Sequence, residues 1–255
     1  MLITLKSKGE ISLMREAGRI LAIAHDEMRK AIQPGISTYD LDKLGEEVIR
    51  SYGGVPACLG YEGYPASVCV SVNNEVVHGI PNKKTILKDG DIVSLDTVVA
   101  YQGYHADSAR TYGVGEISDE AKRLIDVTKE SFFEGLRYCV AGNRIGDISR
   151  AVFRYVVSRG YGSVRELAGH GIGQEMHEEP EVPNFPRLFK GPKLKPGMVI
   201  CVEPMNTAGN CAVEFLDDDW TVVTADGSLA AHYENTVLIT EGKPVILSRA
   251  EGIKL

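Results

Sequence analysis

The sequence predicts an α+β fold of two pseudo-symmetric halves, with a central, mostly antiparallel β-sheet covered by helices. Three observations carry this expectation. Helical periodicity gives way to β-branched runs near the middle of the first half and then restarts past residue 118. The strand-like runs are separated by short turns, which antiparallel neighbours permit and parallel neighbours do not. Glycines and acidic residues recur at one offset, 107: Gly35 with Gly142, Asp40 with Asp147, Gly53 with Gly160, Gly90 with Gly197. At that offset LKDGDIVSLD, ending at Asp96, resembles LKPGMVICVE, ending at Glu203, which predicts an internal duplication. One domain over 1–255 is expected, its repeats running roughly over 10–112 and 118–240.

The first helix is expected from about Ser7 to Ile32, because Ile11, Met14, Ala17, Leu21, Ala24 and Met28 fall on one face before Gln33-Pro34-Gly35 stops it. Thr38 reads as the N-cap of a second, with Leu41, Leu44 and Val48 on its face and Gly53-Gly54 past its end. Strands follow in SVCVSV, DIVSLDTVVA and SARTYGV, punctuated by Asn73-Asn74, Asp89-Gly90 and Gln102-Gly103. Ser118 then caps a third helix, with Ala121, Leu124, Val127 and Leu136 facing inward, and a fourth is expected over about Asp147–Ser158. More strands are expected from Val164 to the end.

The composition is that of an ordinary globular protein, 44% hydrophobic and 25% charged over 255 residues. No apolar run approaches the length needed to cross a bilayer or serve as a signal peptide, so a cytoplasmic protein without a membrane partner is expected. The five cysteines are an odd number without a CxxC pair, and reduced thiols are expected. A net charge of -7 with scattered Lys and Arg argues against nucleic acid and leaves a small molecule or peptide as partner.

Acidic residues that interrupt apolar strands carry the chemistry. Asp96 lies in VSLDTVV, Glu203 in VICVEPM and Glu234 in HYENTVLI, where an unpaired buried carboxylate is costly. Few basic residues accompany them, whereas His170 lies in glycine-rich AGHGIG and can approach closely. With Asp107 the set is four carboxylates and one imidazole. Oxygen-rich and poor in nitrogen, it suits a pair of divalent first-row ions better than a thiolate zinc site. Each residue alone has an ordinary reading, as a turn Asp or a core His; only the set points to metal.

Five ordered motifs carry a resemblance: HGIP at His78, SLDTVVAYQGYHADSART at Asp96 and Asp107, GHGIGQEMHEEP at His170 and His177, EPM at Glu203, and DWTVVTADGSLAAHYENT at Glu234. Over nearly the whole chain the sequence resembles the type I methionine aminopeptidases, whose fold is the two-halved pita-bread fold. The resemblance implies a metal-dependent hydrolase that removes N-terminal methionine from peptides and nascent chains with a small second residue. It implies that Asp96 and Asp107 hold one ion with bridging Glu234, and that His170 and Glu203 complete a second shell with Asp107 bridging. The ions would be Co, Mn, Fe or Zn. His78 and His177 match non-ligand histidines that bind the scissile peptide and its oxyanion, and Glu203 would shuttle the proton. The remaining histidines, His25, His105 and His232, match no such role.

By the same resemblance the methionine pocket would be lined by Cys58, Tyr61, Tyr64, Cys69, Met176 and Trp220. Polarizable thiols and ring edges suit a thioether. Three positions depart from the family's usual residues: Met176 stands where Phe is common, and Glu62 and Asn235 where His is common. None is an expected ligand. The chain also resembles a bare catalytic domain, without the zinc-binding extension of some members or the type II insertion, and a monomer is expected. Prolidase or an Xaa-Pro aminopeptidase of the same fold is the nearest rival, and a non-catalytic pita-bread binding protein is a second.

Overall fold

Ser7 opens the first helix of the computed structural model, which describes residues 3–254. In α1 (Lys8–Ala31) the Ser7 hydroxyl accepts from the Glu10 amide while the Glu10 carboxylate accepts from the Ser7 amide, a reciprocal capping box. Met14, Ala17, Leu21, Ala24 and Met28 are buried as predicted. The second helix, α2 (Thr38–Ser51), is capped by Ser37 rather than Thr38. Ser37 and Asp40 form the same box, whereas the Thr38 hydroxyl turns away to donate to the Asn82 carbonyl. Strands β1 (Val55–Pro56), β2 (Cys69–Val72), β3 (Glu75–Val77), β4 (Ile92–Tyr101) and β5 (Tyr104–Gly113) follow. Gln102 and Gly103 both have positive φ, 48° and 80°, as a two-residue turn matched to strand twist requires.

Past the connector come α3 (Asp119–Leu136), capped by Ser118 as predicted, and α4 (Ile145–Val157). The fourth helix starts earlier than its predicted Asp147, because that residue is its third position: the Asp147 carboxylate accepts from the Arg144 amide at the cap. The remaining strands are β6 (Gly162–Ser163), β7 (Ala168–Gly171), β8 (Glu178–Pro183), β9 (Val199–Val202), β10 (Met205–Thr207), β11 (Val213–Phe215), β12 (Val222–Thr224), β13 (Ala230–His232), β14 (Asn235–Leu238) and β15 (Val245–Ile246).

The offset of 107 recurs in the backbone itself. Paired glycines have nearly equal φ, 96° and 93° at Gly35 and Gly142, and 93° and 89° at Gly90 and Gly197. Isolated bridges join Ser37 to Ile86 in one half and Arg144 to Lys193 in the other, and β6 takes up the numbers of β1 shifted by the same amount.

Every strand pairing is antiparallel, but the centre is not one continuous sheet. One sheet joins β1 and β2 to β4 and β4 to β5; another runs β15-β14-β9-β7-β8; two smaller ones run β13-β10-β6 and β11-β12-β3. The long β9–β10 and β13–β14 ladder breaks at Glu203-Pro204, where proline has no amide to donate. Helices α1 and α2 cover the first half through Met28, Leu41 and Ile20. The apolar faces of α3 and α4 cover the second through Phe132, Ile148 and Val152.

Candidate metal centre

Two hairpins deliver the four carboxylates. On β4 and β5 the register pairs Val98 with Asp107 and Asp96 with Ala109, so Asp96 and Asp107 are diagonal neighbours on one face. On the second hairpin Val202 pairs with Asn235 and Met205 with His232, which puts Glu203 opposite Glu234 in the ladder break. The hairpins are joined edge to edge. The Thr236 hydroxyl accepts from the Asp107 amide at 2.8 Å and donates to the Asp107 carbonyl at 2.9 Å, and the Glu234 amide donates to the Ala109 carbonyl. His170, on β7, brings Nε2 to 3.7 Å from Asp107 Oδ2 and 3.6 Å from Glu203 Oε1.

The cluster is electrostatically incomplete. Burial first, then the neighbouring Asp107 charge, pushes Asp96, Glu203 and Glu234 well above the usual carboxylate range. Burial raises Asp107 to about 7, opposed by hydrogen bonds from Glu234, Ser108 and Asp96. His170 is the one ion-pair partner of these carboxylates among the described residues, and burial lowers its pKa to about 4, so it is neutral at pH 7. Arg110 donates to the Glu234 carbonyl and the Asn235 side chain rather than to a carboxylate.

A cation fits this set. Asp107 Oδ1, Glu203 Oε1 and Glu234 Oε1 are buried without a hydrogen-bond partner, the condition a metal ion relieves. With His170 Nδ1 donating to the Gly171 carbonyl at 2.9 Å, the Nε2 lone pair is left facing Asp107 and Glu203. Ligand atoms of Asp107, His170, Cys201 and Glu234 all lie within 4.8 Å of one another.

Two cavities flank the carboxylates and share His78, Asp96, Asp107 and His177. One, of about 190 Å³, is walled by all six residues expected for the methionine pocket, Cys58, Tyr61, Tyr64, Cys69, Met176 and Trp220, with Val98 and Glu62 added. Tyr64 meets Trp220 edge to face at 5.0 Å between ring centroids and donates to the Gly79 carbonyl. His177 packs against His170 at 4.3 Å between centroids, and its Nδ1 lies 2.7 Å from the Tyr61 hydroxyl. The second cavity, about 180 Å³, reaches Val77, Leu167, Met205 and His232. A larger cavity, about 670 Å³, lies elsewhere: Ser108, Arg110 and Tyr112 line it from the face of β5 opposite to Asp107.

The profile of metallopeptidase family M24 matches residues 12–241. The chain belongs to metallopeptidase family M24. The methionine aminopeptidase of Clostridium acetobutylicum is 52% identical, with 98% of this chain and 100% of that protein covered. Methionine aminopeptidase 1 of Bacillus subtilis is 50% identical over 97% and 100%. The crystal structure of methionine aminopeptidase from Thermotoga maritima superposes with a TM-score of 0.96 at 42% identity, covering 98% of this chain and 100% of that one. Prolidase from Pyrococcus furiosus, 21% identical, shares the fold with a TM-score of 0.78, and the chain covers 66% of it. These likenesses establish the two-halved pita-bread fold.

Within this M24 chain the structure adds residues that the sequence did not single out. Cys201, on β9, precedes Glu203 by two, and its thiol lies with the ligand atoms of Asp107, His170 and Glu234; that two-residue spacing was the available signal. His232 was given no role, yet lines the second cavity beside Met205, its cross-strand partner. All five cysteines are free, as expected, and no described helix is long and apolar enough to cross a membrane.

Proposed function

We propose that this chain is a methionine aminopeptidase that holds two divalent ions through Asp96, Asp107, His170, Glu203 and Glu234 and removes N-terminal methionine before a small second residue. The observation that carries the reading is a cavity of thioether size, walled by thiols, aromatic rings and Met176, opening directly onto a buried carboxylate cluster. Bound ions supply Lewis acidity and a water acidified towards neutral pH. The chain's own groups do the rest. Glu203, at the edge of the cluster, takes a proton from the attacking water and passes it to the leaving amine.

His177 is set up as a donor to the developing oxyanion. Burial raises the Tyr61 phenol pKa, so Tyr61 keeps its proton and donates it to His177 Nδ1. Burial also lowers the His177 pKa to about 4, so the ring is neutral and its remaining proton sits on Nε2, free to point at the carbonyl oxygen. His78, in a left-handed conformation at φ 60° and packed near Trp220, orients the peptide nitrogen. The substrates are peptides and nascent-chain N-termini, the location is cytoplasmic, and the active species is a monomer.

The deciding experiment is turnover of a Met-Ala-Ser peptide by metal-stripped protein and after re-addition of Mn(II), Fe(II), Co(II) or Zn(II). Turnover that returns with metal supports the reading; turnover indifferent to metal refutes it. Faster cleavage of Ala-Pro than Met-Ala peptides would favour the Xaa-Pro alternative, whose fold this chain shares.

A further inference from the structure

We propose that His232 makes the pocket for the second substrate residue selective for hydroxyls, so that Met-Thr and Met-Ser termini are processed in preference to Met-Val and Met-Ala. The inference rests on the aminopeptidase reading above. The two cavities lie on either side of the carboxylates and share His78, Asp96, Asp107 and His177. With methionine in the thioether-sized cavity and the scissile bond at the carboxylates, the following residue enters the other. Its volume of about 180 Å³ includes the space between the ligands, which leaves room only for a small side chain.

The walls of that cavity beyond the shared and ligand residues are Val77, Leu167, Ala168, Met205 and His232. Four are apolar and one is not. Register pairing of Met205 with His232 sends both side chains off the same face. His232 is 2% exposed, and neither of its ring nitrogens has a hydrogen-bond partner among the described residues. An imidazole offers an N–H donor on one ring nitrogen and, in its neutral form, a lone pair on the other. A hydroxyl can donate to the lone pair or accept from the N–H; a methyl can do neither. One neutral hydrogen bond corresponds to roughly a threefold to tenfold preference. Thr and Val have nearly the same shape, so their ratio isolates the hydroxyl from the size limit.

The test compares kcat/KM of the metal-loaded enzyme on peptides that differ only at the second residue, Thr, Val, Ser or Ala. The wild type should prefer Thr to Val by about threefold to tenfold, His232→Leu should bring that ratio to about one, and His232→Gln, which keeps a donor and an acceptor, should retain most of it. A wild-type Thr-to-Val ratio of one or less, or the same ratio in His232→Leu as in wild type, overturns the proposal. If His232→Leu does not fold, the wild-type ratio and the Gln variant still decide. Failure of the wild type to cleave any Met peptide would sink the aminopeptidase reading itself, an outcome distinct from cleavage without hydroxyl preference.

Discussion

The two halves of the molecule share a skeleton and differ in how each closes its main hairpin. In the first, β4 turns directly into β5 through Gln102 and Gly103. In the second, the strands flanking Glu203 and Glu234 are separated by an excursion over residues 208–229, which carries β11, β12 and Trp220. Both hairpins bring two carboxylates to the centre, but the excursion of the second also reaches over to complete the cavity proposed to hold methionine, where Trp220 meets Tyr64 of the first half. Charge placement thus belongs to the shared skeleton, and shape selection belongs to the departure from it.

The largest effect should come from the shared part. Asp107→Asn takes one carboxylate from the centre of the set, and the expected result is loss of bound metal by elemental analysis together with turnover no higher than that of metal-stripped protein. Metal binding retained at full stoichiometry would show that Asp107 is not a ligand. Next, His177→Ala should lower kcat by about a hundredfold to a thousandfold, as loss of an oxyanion donor does, while metal content stays unchanged.

Trp220→Ala probes the excursion alone. Losing its apolar wall should lower kcat/KM for Met peptides by roughly tenfold to a hundredfold, without changing metal affinity by calorimetry. A fall in metal affinity would mean that the two halves of the comparison are not separable.

A smaller effect concerns pH. Burial raises Asp107 from 3.8 to about 7 in the metal-free fold, so that the folded chain keeps a proton which the unfolded chain has released. The resulting stabilisation is full below pH 3.8 and is lost as pH rises through about 7. The difference in thermal midpoint between metal-loaded and metal-free protein should therefore widen across that window. The smallest effect tests the skeleton. Gly35→Ala and Gly142→Ala each place a Cβ in open space at φ 96° and 93°, so each should cost about 1 kcal/mol of conformational strain, and by the same amount in the two halves.

Much of this was legible in the sequence because its signals are local. The caps at Ser7 and Ser118, the hairpin at Gln102-Gly103 and the glycine pairs need only neighbouring residues to be read. Helix starts were misplaced by a residue or two at Ser37 and Arg144, where the third helical position rather than the first residue fixes the cap. The five expected ligands do converge, since acidic residues inside apolar strands have few other reasons to be there. Cys201 and His232 stayed invisible for the opposite reason: a buried thiol and a buried imidazole are unremarkable until the fold shows what lies opposite them. The break of the central sheet at Pro204 was likewise written in one residue, but its meaning depends on a ladder that only the folded chain contains.

The Thr236 hydroxyl grips the amide and carbonyl of Asp107 across the junction of the hairpins. It acts as a mechanical clasp, one of the bonds that hold the first pair of carboxylates against the second. Ligand identity then fixes which elements the centre attracts, whereas tolerance for ions of different radius is a matter of stiffness, to which a side chain outside the ligand set contributes beside the Glu234–Ala109 and Thr111–His232 bonds of the same seam.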